Sequence, residues 1–423
     1  MNIIDELEWR GAINQQTDEE GLRKLLDEES IALYCGIDPT GDSMHIGHLI
    51  PFMILKRFQM AGHQPVVLIG GGTGSIGDPS GRTSERQLQT MEQINKNAEK
   101  LSNQMRQLFD AGSEESGIRL MNNADWLGEM GFLEFLREYG KEFNINTMLA
   151  KDVVSSRLDS GISFTEFSYQ IIQSIDYLHL YREADVQLQV GGSDQWGNIT
   201  AGLDLIRKKE GPEAEAYGLT IPLLLKADGT KFGKTADGAV WLDPEKTTPY
   251  EFYQFWFNQD DRDVDKYLKY FTFLSRYDIA QLAEKTEKEP HKREAQRVLA
   301  EEMTRFVHGQ EALDEAIMIS EALFSGNVQD LSADQIEMSF KDVPSITAPR
   351  AEADLVTFLV DVTKISPSRR QAREDIQNGA IYLKGERITD LNYVVDEEDS
   401  YDERFILVRR GKKRYFMVHL AEV

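Results

Sequence analysis

One stretch near the N-terminus constrains the fold more than any other part of the chain. Residues 31–37 are short, apolar and β-prone, and residues 38–49 form a tight turn that contains His-Ile-Gly-His at positions 45–48. After this turn, apolar residues recur at helical spacing as far as Arg57. The pattern predicts a strand that passes through a turn into a helix.

Two histidines mark the start of the predicted helix. His45 and His48 are three positions apart and therefore share one helical face. We expect both imidazoles and the free backbone N–H groups of the first turn to converge on one spot, which suits a phosphate. Gly47 between them lets a flat group approach the backbone. Such a pair is also typical of a surface or a metal site, but no carboxylate or third histidine lies at ligand spacing nearby.

The size, charge and cysteine content of the chain exclude several classes of protein. Its 423 residues predict two or three domains. It has no apolar run of about 18 residues and no basic-then-apolar N-terminus, so we expect neither a membrane span nor export. Cys35 is the only cysteine, which excludes intramolecular disulfides and fits a cytoplasmic location. The net charge of −25 means that any nucleic-acid contact must use locally gathered basic residues.

A second strand and a glycine-rich segment follow the histidine-bearing helix. Residues 64–70 are apolar, so strand, helix and strand predict a βαβ unit with ligands at the carboxyl ends of its strands. The glycine-rich segment 70–82 is either a flexible loop or a ligand-binding turn. Asp78, Arg82 and Arg86 in or just after it could present opposite charges to an ammonium group and to phosphates.

Two later segments carry polar residues at positions that suggest a cavity. In the predicted helix 164–177, Tyr169, Gln173 and Asp176 share one face that has apolar flanks. The predicted strand 186–192 is followed by Asp194 and Gln195, a layout that binds ribose hydroxyls or caps the next helix equally well. We expect the helical face to line a cavity.

The second half of the chain combines a basic loop, helices and a basic C-terminal segment. Lys231 and Lys234 are three apart in a glycine-containing loop and could bind a polyphosphate, although lysines in turns are usually just solvated. Residues 249–325 are mostly helical, and residues 326–350 predict a linker. The final segment reverses the overall charge locally, as contact with an RNA backbone requires. The basic residues assigned to that contact are Arg369, Arg370, Arg373, Arg409, Arg410, Lys412 and Lys413.

Taken together, these motifs resemble the class I aminoacyl-tRNA synthetases. The His-Ile-Gly-His turn and Lys-Phe-Gly-Lys-Thr at 231–235, a form of the family's second signature with Phe and Gly for Met and Ser, occur in the family's order. The segments 34–40, 77–81, 169–176 and 191–195 resemble the bacterial tyrosyl-tRNA synthetases, and the C-terminal part resembles the αL RNA-binding motif. The resemblance covers essentially the whole chain.

The resemblance implies an architecture for the chain. The fold class is α/β, with a Rossmann-like parallel-sheet catalytic domain, a helical domain and a small C-terminal α+β RNA-binding module. The catalytic domain would span 1–220 with inserted helices at about 122–185, and the signature loop with the helical domain would span 221–325. A linker at 326–350 would lead to the RNA-binding module at 351–423.

The resemblance also implies a reaction and a set of site residues. The carboxylate of tyrosine would attack the α-phosphorus of ATP, and the terminal adenosine of tRNA(Tyr) would then receive the tyrosyl group. Mg²⁺ would be carried by the ATP phosphates. The residues expected to bind tyrosine are Tyr34, Asp78, Tyr169, Gln173, Asp176 and Gln195. Those expected to bind ATP are Cys35, Gly36, Asp38, Gly47, Gly192, Asp194 and Lys234. Those expected to act on the phosphates or the adenosine during catalysis are Thr40, His45, His48, Arg82, Arg86, Lys231, Lys234 and Thr235.

Three alternatives remain on the sequence alone. A tryptophanyl-tRNA synthetase would share the fold, but an indole N–H needs one acceptor, whereas Tyr34 with Asp176 suits a hydroxyl. A small-molecule nucleotidyltransferase would not need a basic C-terminal module. A non-catalytic RNA-binding protein would not need both histidines and both lysines. The family further implies a homodimer formed through the helices between about 122 and 164.

Overall fold

The computed structural model describes residues 2–109, 117–235, 238–341, 343–412 and 414–421. The prediction for Lys413 lies outside these residues, and the side chains of Lys234 and Thr235 are likewise not described. The chain forms two compact units. The first contains Met1–Thr247 and Phe255–Val307, and the second contains Thr248–Gln254 and His308–Val423.

The first unit is built on a six-stranded sheet whose strands are parallel except for one at its edge. The strands lie in the order Gln15–Gln16, Tyr217–Ile221, Val186–Gly192, Ala32–Ile37, Gln64–Ile69 and Arg119–Asn122. Gln15–Gln16 is the antiparallel edge strand. The central strands are apolar and buried, as strands covered on both faces must be. The α/β fold class and the βαβ unit predicted from the sequence are therefore confirmed.

The strand order creates a crevice at the centre of this sheet. From Ala32–Ile37 the chain continues outward through Gln64–Ile69, whereas Val186–Gly192 pairs with the opposite side of Ala32–Ile37. Such a reversal of direction leaves a crevice at the carboxyl ends of the two neighbouring strands, where open α/β sheets bind ligands. The polar segments 38–49 and 193–198 both begin there.

Helices cover the sheet and form the remainder of the first unit. The longer ones are Ile3–Trp9, Glu19–Glu28, Ile46–Met60, Met91–Phe109, Phe164–Ala184, Trp196–Glu210, Asp261–Phe271, Arg276–Lys288 and Glu294–His308. The region from Ala124–Leu127 to Asp152–Ser155, both of which are helical, consists of short helical segments. We call Ile46–Met60 the histidine helix, because its N-cap is His45 and its third residue is His48. Among the described residues, no helix is both long and apolar enough to cross a bilayer.

The second unit combines helices with a five-stranded sheet. Its strands lie in the order Glu386–Ile388, Ile381–Leu383, Phe405–Arg410, Arg414–Ala421 and Ser345–Pro349. Its main helices are Gln310–Ser325, Ala333–Ser339 and Arg369–Gln377, while helix Pro249–Phe257 contributes its first part. A buried apolar cluster that includes Leu355, Ile376 and Val408 lies on one face of this sheet.

The expected linker at 326–350 is instead structured. It contains helix Ala333–Ser339 and strand Ser345–Pro349, which pairs in parallel with Arg414–Ala421. Its prolines misled the prediction, because an edge strand tolerates proline. The few apolar residues of the segment suffice to anchor it, since Ile336 and Phe340 are buried in the second unit.

Candidate active site

A cavity of about 260 Å³ lies in the central crevice of the first unit. It is bounded by the carboxyl ends of strands Ala32–Ile37 and Val186–Gly192, by the histidine helix and by helix Phe164–Ala184. The sequence-predicted residues that line it are Tyr34, Cys35, Gly36, Asp38, Thr40, His48, Asp78, Arg86, Tyr169, Gln173, Asp176, Gly192, Asp194 and Gln195. Residues far apart in sequence thus meet at one site because parallel strands end at the same edge.

One end of the cavity is built around the carboxylate of Asp176. Trp126 donates its indole N–H to one carboxylate oxygen at 2.8 Å, and Asn123 donates its amide to the other at 2.9 Å. Burial raises the pKa of Asp176 to about 7, while these two donors oppose the shift. The carboxylate is therefore fixed in orientation and retains free lone pairs for a further donor.

The hydroxyl of Tyr34 lies near the carboxylate of Asp176. Tyr34 is buried against the ring of Tyr177, at 5.3 Å between ring centroids. Within the described part of the chain, its hydroxyl oxygen makes no hydrogen bond. Burial and the nearby Asp176 raise the pKa of Tyr34 well above its ordinary value, so the group is a neutral donor and acceptor. A buried polar group without a partner is costly, and a ligand hydroxyl would satisfy it.

Asn123 and Trp126 hold the carboxylate of Asp176, and the sequence analysis identified neither of them as a site residue. Asn123 also accepts the backbone N–H of Gly72 at 2.8 Å and donates to the Thr73 hydroxyl at 3.0 Å, so it links the glycine-rich segment to Asp176. Trp126 stacks on His179 at 4.1 Å between centroids. No local sequence pattern marks Trp126, because its contact with Asp176 is formed across 50 residues.

A second group of side chains in the cavity wall, which we call the acidic end, consists of acidic and amide groups. Asp78 accepts from the Gln195 amide at 2.9 Å, and Gln195 in turn accepts from Gln173 at 3.2 Å. Tyr169 donates its hydroxyl to Asp38 at 2.9 Å. Burial raises the pKa of Asp38 to about 6 and also raises that of Asp78. Two partly desolvated carboxylates at one place favour a cationic ligand.

Asp38 lies nearer to the acidic end than its expected role suggests. Besides Tyr169, it accepts a hydrogen bond from the Thr73 hydroxyl at 2.6 Å. Its two oxygens are thus committed to groups from helix Phe164–Ala184 and from the glycine-rich segment. This position places Asp38 beside the acidic groups, although the sequence assigned it to ATP.

The start of the histidine helix differs from the expected phosphate cradle. Nδ1 of His48 accepts the His45 backbone N–H at 3.2 Å, and Nδ1 of His45 accepts that of Gly47 at 3.1 Å. The N–H of Ile46 bonds to the carbonyl of Val240. The prediction of free backbone N–H groups was therefore wrong, because the two imidazoles cap the helix themselves.

This capping instead fixes the imidazoles as donors. The rings stack at 3.8 Å between centroids. Burial and the neighbouring His45 lower the pKa of His48 to about 3, so His48 is neutral. Because its Nδ1 accepts a hydrogen bond, its proton resides on Nε2, which is free to donate to a ligand.

The basic loop at 230–235, which we call the signature loop, lies against the histidine helix. Gly233 has φ +91°, and a Cβ built on it would lie 3.5 Å from the backbone nitrogen of Gly47. Phe232 is buried among aromatic rings, including Tyr267 at 4.8 Å and Phe271 at 5.1 Å. Lys231 is exposed next to this anchor. The two signature motifs, about 190 residues apart in sequence, are therefore neighbours.

Not every predicted residue borders the cavity in this conformation. His45, Gly47, Arg82 and Lys231 are absent from its wall. Arg82 is exposed, whereas Arg86 borders the cavity and donates its Nε–H to the backbone carbonyl of Asp78 at 3.1 Å.

The comparisons with known proteins agree with this geometry. Residues 26–325 match the model of the class I tRNA synthetases for tryptophan and tyrosine, and residues 335–418 match the C-terminal domain model of tyrosine–tRNA ligases. The chain is 67% identical over 421 residues to tyrosine–tRNA ligase 2 of Bacillus cereus, with 100% of both chains covered. The chain belongs to the tyrosine–tRNA ligase family.

Other relatives of this tyrosine–tRNA ligase family member support the same assignment. Tyrosine–tRNA ligase 1 of Enterococcus faecalis is 65% identical over 422 residues, with both chains fully covered. The mitochondrial tyrosyl-tRNA synthetase of Aspergillus nidulans, truncated at its C-terminus, superposes with a TM-score of 0.69 at 32% identity. That match covers 76% of this chain and 94% of the other. A tryptophanyl-tRNA synthetase from Encephalitozoon cuniculi, at 17% identity and a TM-score of 0.55, shares the fold.

The basic residues in the second unit of this ligase occupy two kinds of position. Arg370, Arg373 and Lys412 are exposed. Arg410 instead bonds internally, to Asp375 at 2.8 Å and to the carbonyl of Ile365 at 3.0 Å.

Arg369 and Arg409 are engaged as well. Arg369 forms an ion pair with Asp361. The guanidinium carbon of Arg409 lies 3.6 Å from the ring centroid of Tyr382. Of the six described residues expected to bind RNA, Arg370, Arg373 and Lys412 are exposed and form no ion pair with another described residue, so they are the most available to a phosphate.

Proposed function

We propose that this ligase forms tyrosyl-adenylate in the central cavity. We further propose that the residues predicted from the sequence bind different parts of tyrosine and ATP there. As a tyrosine–tRNA ligase, the chain joins tyrosine to tRNA with ATP as the energy source. The observation that carries the residue assignment is the unpartnered hydroxyl of buried Tyr34 beside the fixed carboxylate of Asp176. A phenol hydroxyl can accept from Tyr34 while it donates to Asp176.

The acidic end of the cavity holds the amino acid backbone. The ammonium group of tyrosine would replace internal hydrogen bonds by contacts with Asp78, Tyr169 and Gln173. Asp38 adds a second buried negative charge near the same place. Gln195, bonded to both Asp78 and Gln173, would lie near the tyrosine carboxylate and orient it. These contacts place the carboxylate as the nucleophile.

ATP would extend from the same point across the histidine helix. The adenosine would be faced by His48, Gly47, Cys35 and Gly36. The ribose would be bound by Asp194 and the neighbouring Gly192. Thr40 and His45 would hold the terminal phosphates. The residues that would close over the pyrophosphate are Arg82, Arg86, Lys231, Lys234 and Thr235. Mg²⁺ would arrive with ATP and reduce the charge of its phosphates, which are its main ligands.

This arrangement accelerates the reaction by position and charge. A carboxylate is already a nucleophile and needs no base, so the protein must align it with the α-phosphorus and stabilise the extra negative charge of the transition state. Thr40, His45 and the cationic side chains would supply that stabilisation, while the neutral Nε2–H of His48 would face the adenosine. The closeness of Gly233 to Gly47 allows the signature loop to reach the phosphates.

The assignment of the two histidines is tested by ATP–pyrophosphate exchange. His45→Ala should slow exchange about 100-fold, as loss of a donor to a developing charge does, and His48→Ala should slow it by weakening the hold on the adenosine. Equilibrium dialysis should show unchanged binding of tyrosine, which lies beyond their reach. His291→Ala, at an exposed position, is the matched control. Unchanged exchange in the His45→Ala/His48→Ala variant would refute the proposal.

We further propose that the ligase is a homodimer. The helical insert carries large apolar side chains that are exposed, including Phe132 at 67%, Leu133 at 78% and Phe164 at 70%. Exposed apolar groups of this size indicate an interface, and a second copy can cover them by twofold symmetry. Phe164→Asp should shift the sedimentation of the protein to that of a monomer, whereas Phe324→Asp, at a residue 96% exposed outside the insert, should not. A wild-type monomer at micromolar concentration would contradict the proposal.

The second unit would hold tRNA(Tyr) through Arg370, Arg373 and Lys412, with Arg369, Arg409, Arg410 and Lys413 nearby in sequence. We place the enzyme in the cytoplasm, where its one cysteine, buried Cys35, would stay reduced. Neutralisation of exposed arginines should weaken tRNA binding and leave adenylate formation intact, because the two steps use different units.

A further inference from the structure

The loop between strand Ala32–Ile37 and the histidine helix takes several of its hydrogen bonds from another element. This loop, residues 38–44, carries Thr40 and ends immediately before His45. Inside the loop, the Thr40 N–H bonds to the carbonyl of Asp38 at 2.8 Å. Backbone groups at its two ends instead bond to side chains of helix Met91–Phe109 and of Gln89, two residues before that helix.

The first end of the loop is held by two amides. Asn97, which is 1% exposed, donates its amide to the carbonyl of Pro39 at 3.0 Å. Gln89 donates its amide to the carbonyl of Thr40 at 3.0 Å. Gln93 donates to the Asn97 side-chain oxygen at 2.7 Å and so fixes the orientation of that amide. The carbonyls of Pro39 and Thr40 are therefore held by one helix and by Gln89, which precedes it.

The second end of the loop is held by a third amide. Gln104 accepts the backbone N–H of Met44 at 2.8 Å and donates to the Ser43 hydroxyl at 2.9 Å. Between the two ends, Lys100 lies 3.3 Å from the carboxylate of Asp42. Within the helix, the contacting residues lie at positions 93, 97, 100 and 104, and their spacing of 4, 3 and 4 residues places them on one face.

We infer that this amide face of helix Met91–Phe109 positions Thr40 and His45 for the phosphates of ATP. The inference rests on the proposed roles of Thr40 and His45. The side chains themselves are too far back to be catalytic: Asn97 and Gln104 do not border the cavity. They act by fixing the backbone that carries Thr40 and His45. A displacement of these two side chains by about 1 Å can lower the rate by a factor of about 100.

Substitutions of Asn97 and of Gln104 test the two ends of the loop separately. Asn97→Ala leaves the Pro39 carbonyl without its partner, and we expect adenylate formation to slow about tenfold. Gln104→Leu should have a similar effect. Gln104→Glu keeps an acceptor for the Met44 N–H and should stay within about threefold of wild type, by the same reasoning. Tyrosine binding by equilibrium dialysis should be unchanged in all three. Asn95→Ala and Gln107→Ala, at exposed positions of the same helix, are the matched controls.

A double-mutant cycle distinguishes positioning from general damage. If Asn97 acts through Thr40, the Thr40→Ala/Asn97→Ala variant forms adenylate as fast as Thr40→Ala alone. If the double variant is slowed by the product of the two single effects, the inference is overturned. It is also overturned if Gln104→Leu and Gln104→Glu lower the rate equally. If Asn97→Ala does not fold, the Gln104 pair decides the question. If Thr40→Ala and His45→Ala themselves leave the rate unchanged, the proposed function fails instead.

Discussion

Replacement of Asp176 by asparagine tests how the cavity distinguishes tyrosine from phenylalanine. The carboxylate accepts one N–H from Asn123 and one from Trp126, and in our proposal it also accepts the phenol hydroxyl. Asparagine keeps the shape but loses the charge, and its NH₂ group must face one of those two donors. A hydrogen bond to a charged group contributes about 1.5–3 kcal/mol, so the preference for tyrosine should fall roughly 10- to 150-fold. Tyr34→Phe removes a neutral partner worth about 1 kcal/mol and should reduce the preference about fivefold.

The assay is ATP–pyrophosphate exchange with tyrosine and with phenylalanine, and the measured quantity is the ratio of their kcat/KM values. Tyr169→Phe is the matched control, since it removes a hydroxyl that donates to Asp38 and not to Asp176. It should slow both amino acids alike and leave the ratio unchanged. An unchanged ratio in Asp176→Asn, or an equal change in Tyr169→Phe, would refute the assignment of Asp176 and Tyr34.

Three further predictions follow from the same geometry. Because the pKa of Asp176 is raised to about 7, the carboxylate becomes protonated as pH falls, so its loss of charge should make the Kd for tyrosine about tenfold higher at pH 6 than at pH 8, and Asp176→Asn should leave only the smaller dependence due to Asp38, whose pKa is raised to about 6. Gly233→Ala forces a side chain onto a φ of +91° next to Gly47 and should slow adenylate formation without changing tyrosine binding; an unchanged rate would contradict the loop contact. Arg373→Ala should raise the KM for tRNA and reduce the salt dependence of tRNA binding by about one counterion, while exchange without tRNA stays at the wild-type rate.

The strand and the helix on either side of residues 38–45 could be predicted because each is indicated by its own local sequence. The apolar run before Asp38 and the helical spacing after His45 each identify an element, and the structure has a strand at Ala32–Ile37 and a helix at Ile46–Met60. Parallel strands then bring their carboxyl ends together whatever the sequence between them. This is why most of the predicted tyrosine and ATP residues do line one cavity.

The parts that could not be predicted depend on contacts between distant residues. Asn123 and Trp126 show no local pattern, since their role arises only when Asp176 is folded against them. The imidazoles of His45 and His48 cap their own helix, a role that serine, threonine, asparagine or aspartate usually fills. The same holds for the amide face of helix Met91–Phe109, which in sequence is an ordinary polar stripe.

The stereochemistry at the α-phosphorus of ATP tests the central claim most directly. If the tyrosine carboxylate attacks the α-phosphorus in line and the protein contributes no nucleophile, tyrosyl-adenylate made from ATP with a chiral, isotopically or sulfur-labelled α-phosphate must have inverted configuration. Retention would require two successive displacements, and therefore a covalent nucleotidyl-protein intermediate. Inversion is the result that we predict, and retention would contradict the account.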